Sequence, residues 1–147
     1  MLELTFGVDR NIWGLADRLL QVEGERTVWR LPPYLAPVPV AVFPLLKKEH
    51  GAFAERLVGS LRDGGLAASY DESGSIGRRY ARMDEIGTPF CLTVDGSSVD
   101  PASPEAGTVT LRHRDSKSQE RVPVQGLLDR LRTPLVPPRA GRRTTPS

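Results

Sequence analysis

VPVAVFPLLKKEHGAFAERLVGSLRDGGLAASY (Val38–Tyr70) decides how this chain folds. It opens on a nearly unbroken apolar run that closes at Pro44, the pattern of a strand buried on both faces. Ala54, Leu57, Val58 and Leu61 then recur at helical spacing and mark one face of a helix. Gly64-Gly65 stops that helix, since helix ends favour glycine. Leu66–Tyr70 reads as a second short strand. A strand, a helix and a strand in that order need a crossover, which is right-handed in nearly all parallel sheets.

Downstream the pattern continues. Ser75 stands where it can cap a helix whose inner stripe is Ile76, Tyr80 and Met83 and which ends at Gly87. Pro89 opens FCLTV, apolar enough to be a central strand. DGSSVDPASPEAG is a loop. TVTLRHR alternates, with Val109, Leu111 and His113 on one face and Thr110, Arg112 and Arg114 on the other. Asp115–Ser118 turns the chain and RVPV returns as a hairpin partner. Leu127, Leu128 and Leu131 suggest a last helix. The expectation is an α/β fold: a mixed five-stranded sheet with helices on both faces.

Upstream, Leu2–Phe6 alternates as a short strand, and Asp9 can cap a helix carrying Ile12, Leu15, Ala16, Leu19 and Leu20 that ends at Gly24. Arg30–Pro39 holds Pro32, Pro33, Pro37 and Pro39 and reads as an extended connector. Beyond Thr133 no apolar period remains, so 134–147 reads as a disordered basic tail. The domain expectation is therefore 1–30, a linker at 31–36, a main domain at 37–133, and that tail.

Composition narrows the chemistry. With 39% apolar and 26% charged residues the chain has globular proportions. No apolar run approaches the ~20 residues that span a bilayer, so no membrane partner and a cytoplasmic location are expected. The formal charge of +2 is too mild to imply nucleic acid by itself, but the arginines cluster: Arg78, Arg79 and Arg82, then Arg112 and Arg114, then Arg139, Arg142 and Arg143. Cys91 is the only cysteine, and His50 and His113 are the only histidines. That set offers neither metal-ligand spacing nor a nucleophile–base pair.

YDESGSIGRRYARMDEIGTPF (Tyr70–Phe90) and TVTLRHRDS (Thr108–Ser116) resemble the anticodon-binding domain of class II glycyl-tRNA synthetases, and LAPVPVAVFPL (Leu35–Leu45) resembles that domain's first strand. ELTFGVDR (Glu3–Arg10) resembles the third signature motif of class II synthetases, a strand leading into a helix. The resemblance runs from Glu3 to about Leu131. It implies that 1–30 is a strand–helix remnant of the catalytic domain. By the same resemblance Gly7, Val8, Asp9 and Arg10 would face ATP, and Glu3, Thr5 and Gly7 would face glycine. Thr5 stands where the family has serine, Leu4 where it has proline, and His113 where it has an acidic residue.

What the resemblance implies for function is tRNA binding, with glycine-accepting tRNA as partner and no DNA. Unpaired anticodon bases are held by stacking, by edge hydrogen bonds, and by Arg and Lys at phosphates. The expected contacts are Ser75, Arg78, Arg79, Arg82, Arg112 and Arg114, with the helix start at Ser75 suited to a phosphate. Against this stands a structural role, in which Arg78, Arg82, Asp84 and Glu85 form intrahelical ion pairs. ATP and Mg2+ are implied for a full-length ligase, and no metal site for this chain. Only two residues precede Glu3, leaving no room there for the first two class II motifs. The expectation is thus the C-terminal part of a glycine–tRNA ligase that does not charge tRNA alone, with the rest of a catalytic domain or a second copy as a further partner. The alternatives are a stand-alone tRNA-binding accessory protein and the C-terminal subunit of a split synthetase.

Overall fold

The computed structural model describes Thr5 and residues 7–138. Apart from Thr5, the expected strand at Leu2–Phe6, Glu3 with it, and residues 139–147 lie outside the described residues. Helix α1 (Val8–Leu19) runs directly into a hairpin of β1 (Leu20–Glu23) and β2 (Arg26–Trp29). After a short 3-10 turn at Pro33–Leu35 come β3 (Val40–Pro44), α2 (Lys47–Asp63), β4 (Ala68–Tyr70), α3 (Ile76–Ile86) and β5 (Phe90–Val94). A single helical turn, α4 (Gly96–Val99), precedes β6 (Thr108–His113), β7 (Gln119–Pro123) and α5 (Leu127–Arg132).

The main sheet has five strands in the order β4-β3-β5-β6-β7. β3 is parallel to β4 and to β5, whereas β6 pairs antiparallel with β5 and β7, so the sheet is mixed as expected. β3 and β5 are buried along their whole length, matching their apolar sequences. On one face Val40, Val42, Leu92, Val94 and Leu111 pack with Leu57, Val58 and Leu61 of α2 and with Leu127 and Leu131 of α5. Burying side chains of this size stabilises by about 1.5–3 kcal/mol each. The other face is smaller. Ala41, Phe43 and Cys91 meet Met83, Ile76 and Tyr80 of α3, which confirms the inner stripe read from the sequence.

Several boundaries differ from expectation. Asp9 does not cap α1; Gly7 holds that position and Asp9 lies in the first turn. α1 ends at Leu19 rather than Gly24, which instead turns the β1–β2 hairpin with φ of 64°. Leu20–Glu23 and Arg26–Trp29 are too short and too polar to announce strands, and they pair because they close on each other and on α3. Residues 134 and 135, expected within a tail, belong to the 3-10 turn Thr133–Leu135, and Leu135 packs against the core. The proline-rich stretch is no gap in packing either: Leu31 is buried.

Candidate nucleic-acid interface

α3 and β6 carry the expected contacts, and the fold sorts them into two groups. Arg112 in β6 and Arg114 just after it are the polar set expected to face outward, but β6 lies between two other strands, and α3 and the hairpin pack over that side. Both side chains are therefore buried, at 7% and 2% exposure. Arg112 meets Asp84 of α3 through two 3.0 Å hydrogen bonds, and its guanidinium sits 4.6 Å from the Tyr80 ring centre. Arg26 of β2 also donates to Asp84, at 2.8 Å. Arg114 donates to the carbonyls of Trp29, Leu31 and Gly87 at 2.7–3.0 Å and so fastens the hairpin to the end of α3.

Arg79 also points inward. It is 6% exposed and donates to the carbonyls of Pro44, Glu72 and Gly74 at 2.6–2.9 Å. The expectation that Arg79, Arg112 and Arg114 face RNA is corrected by this geometry, since a guanidinium whose donors serve buried partners is withdrawn from solvent. The intrahelical ion pairs do not form either. Arg82 pairs with Asp71 at 2.5 Å and donates to Ser73 O, while Asp84 takes Arg26 and Arg112. Burial opposes ionisation of Asp71, yet the Ser73 amide and Arg82 outweigh it and hold its carboxyl below its ordinary value.

Arg78 and Ser75 face outward. Both are exposed, and among the described residues Arg78 has no ion pair or side-chain hydrogen bond. Ser75 holds the N-cap position of α3, as expected, but its hydroxyl makes no capping bond. The first-turn N–H groups of α3 thus keep the positive end of the helix dipole without a side-chain cap. Arg82 is half-exposed one turn on and adds charge on the same side.

A polar groove opens beside this helix start. Tyr80 Oη lies 2.7 Å from Thr93 Oγ1, and next to them Thr110, Asp95 and Gln119 open onto a groove of about 270 Å³. Asp95 caps α4 through Ser98, a D-x-x-S signal visible in the sequence, and Arg121 grips it with bonds of 2.5 and 2.9 Å. The bond from Arg121 holds the Asp95 carboxyl down at about 2. Elsewhere, His113 Nε2 lies 3.0 Å from Glu120, on the face opposite Arg112. Burial pushes the Cys91 thiol up to about 12, so it stays protonated and unreactive at neutral pH.

Gly7 at the cap and Val8, Asp9 and Arg10 on the first turn of α1 are all exposed, and Thr5 is exposed before them. The described residues do not enclose a nucleotide or an amino acid there. The same helix leaves Ile12 and Trp13 in solvent, Trp13 at 76% exposure. No helix among the described residues is long and apolar enough to cross a membrane.

Residues 39–133 match the family model described as anticodon binding domain. A glycine–tRNA ligase of Methanothermobacter thermautotrophicus is 48% identical over 89% of this chain and 22% of its own length. Those of Methanococcus vannielii and Thermococcus kodakarensis are 43% and 44% identical over 92% and 90% of this chain, and 23% and 22% of their own. The chain therefore spans less than a quarter of the length of these relatives. A solved RNA binding domain of threonyl-tRNA synthetase from Cryptosporidium parvum superposes with a TM-score of 0.61 at 22% identity, covering 70% of this chain and 25% of that one. That likeness speaks to the fold alone. With 39–133 covering the whole five-stranded sheet and its helices, the chain belongs to the anticodon-binding domain family.

Proposed function

We propose that this chain is the tRNA-reading part of a glycine–tRNA ligase and that the outward side of α3 receives the anticodon loop. The observation that carries this reading is the division among the arginines. Arg79, Arg112 and Arg114 are used up inside the fold, which leaves Arg78 and, in part, Arg82 beside an uncapped helix start. That combination suits RNA phosphates, through charge and through backbone N–H groups. Its ligand is a glycine-accepting tRNA, and a cytoplasmic setting belongs to the same reading.

Adenylate formation, with ATP and Mg2+, is assigned here to the portion of a ligase beyond this segment. The exposed Ile12 and Trp13 of α1 favour a covering body, either the rest of a catalytic domain in one polypeptide or a separate subunit. Pyrophosphate exchange dependent on glycine, measured on this chain alone, would contradict that assignment.

Fluorescence anisotropy with the anticodon stem-loop of a glycine tRNA tests the binding claim. The expected result is tighter binding than to a stem-loop with a replaced anticodon. Arg78→Ala should weaken both complexes and flatten the salt dependence by about one unit of slope. Equal affinity for both loops would reject the reading.

A further inference from the structure

A larger cleft, of about 490 Å³, lies between α3 and the β1–β2 hairpin. Gly77 and Ala81 line its α3 side, and Gly77 immediately precedes Arg78. The cleft therefore begins where the proposed phosphate contacts end. Its shape would admit an RNA backbone, since both residues are small and a Cβ at Gly77 meets nothing within 4 Å.

Its charges oppose one. Arg26 and Arg112, the cations that line the cleft, are both bound to Asp84, and Arg26 to Glu23 as well. Glu23 in turn takes Arg30 and Lys117. Glu25 at the hairpin turn and Glu85 on α3 stand apart from this network. Both line the cleft, both are exposed, and among the described residues neither has an ion pair or a side-chain hydrogen bond. Glu85 lies two turns from Arg78 on the same outward stripe of α3, so that stripe is positive at its start and negative at its end. A carboxylate in the last turn of a helix opposes the helix dipole. The stability of α3 thus gives no reason for Glu85 to be there.

We propose that Glu25 and Glu85 fence this cleft against paired RNA and so restrict the outward side of α3 to an unpaired loop. In a duplex the phosphates run on in even rows along both strands, so seating one at Arg78 leaves others facing the two glutamates. A loop turns its backbone away. Like charges set against a wrong partner discriminate without adding affinity for the right one. The inference rests on the proposed tRNA-reading role and adds to it two residues that select the form of the RNA.

The test uses the full chain, the glycine anticodon stem-loop and a blunt RNA duplex of the same length, followed by fluorescence anisotropy. Wild type should bind the stem-loop about tenfold or more tighter than the duplex. Glu25→Gln/Glu85→Gln, at exposed positions with no bonds to lose, should bind the duplex about threefold or more tighter and the stem-loop within about twofold of wild type. Glu25→Lys/Glu85→Lys should go further, with a duplex salt slope steeper by about two units. Glu55→Lys/Asp63→Lys makes the same change of net charge at exposed sites on α2, across the sheet. Screening over that distance should hold its duplex affinity within about twofold of wild type. Duplex affinity that stays level in the cleft variants, or rises equally in the α2 variant, overturns the fence while tRNA reading stands. So does stem-loop affinity that rises as much as duplex affinity, or wild type that binds both RNAs alike. Equal binding of stem-loops with the glycine anticodon and a replaced one rejects the tRNA-reading role itself.

Discussion

Arg112 and Asp84 face each other through two parallel hydrogen bonds of 3.0 Å, joining the middle of the sheet to the inner side of α3. Arg26 completes the group from the hairpin, so a single carboxylate serves two guanidiniums. Removing one partner of a buried pair leaves uncompensated charge and costs ~3–5 kcal/mol. Asp84→Asn should therefore lower the urea midpoint sharply with little change in slope. A loss below about 1 kcal/mol would mean that the pair is dispensable.

Arg114 ties the hairpin down through three backbone carbonyls, a fork that lysine cannot reproduce. Arg114→Lys should cost about 2 kcal/mol or more, from bonds worth ~1.5–3 kcal/mol each to a charged donor. Hydrogen exchange should speed up in Arg26–Trp29 and stay slow in α2, which has no bond to Arg114.

Two glycines should respond in opposite directions. Gly87 ends α3 with φ of 84°, and a Cβ there would lie 3.0 Å from Leu31 and 3.1 Å from Trp29 O. Gly87→Ala should destabilise by more than about 1 kcal/mol. Gly59 lies inside α2, where a Cβ meets nothing within 4 Å. Gly59→Ala should stabilise by about 0.5–1 kcal/mol. Both are read from thermal unfolding.

Asp95 gives the fold an acid limb. Its folded pKa of about 2 lies below the ordinary 3.8, so its contribution is complete above the ordinary value and is lost as pH falls through about 2. Asp95→Asn should flatten stability across that window. An unchanged acid limb in the variant would show that Arg121 does not hold the carboxylate in solution.

The sequence was legible where one periodicity had one explanation. Val40–Pro44, the Ile76–Tyr80–Met83 stripe and the alternation of Thr108–His113 all stand as read. Failure came where burial depended on a distant segment. Arg112 and Arg114 alternate with apolar residues, so spacing alone sends them to solvent, whereas the hairpin at Leu20–Trp29 closes over them and Asp84 neutralises the nearer one. Nothing local in Arg26 or Asp84 announces that they meet 58 positions apart. The groove escaped for the same reason: Thr110, Asp95 and Gln119 lie on three elements and converge only in the folded sheet.

Amide mapping of the complex with a glycine anticodon stem-loop tests the central claim most directly. The account predicts shifts and exchange protection at Ser75–Arg78 and around Arg82, with the buried Arg112–Asp84 region unmoved. Protection confined to α1 or to the far side of the sheet, along α2 and α5, would contradict it.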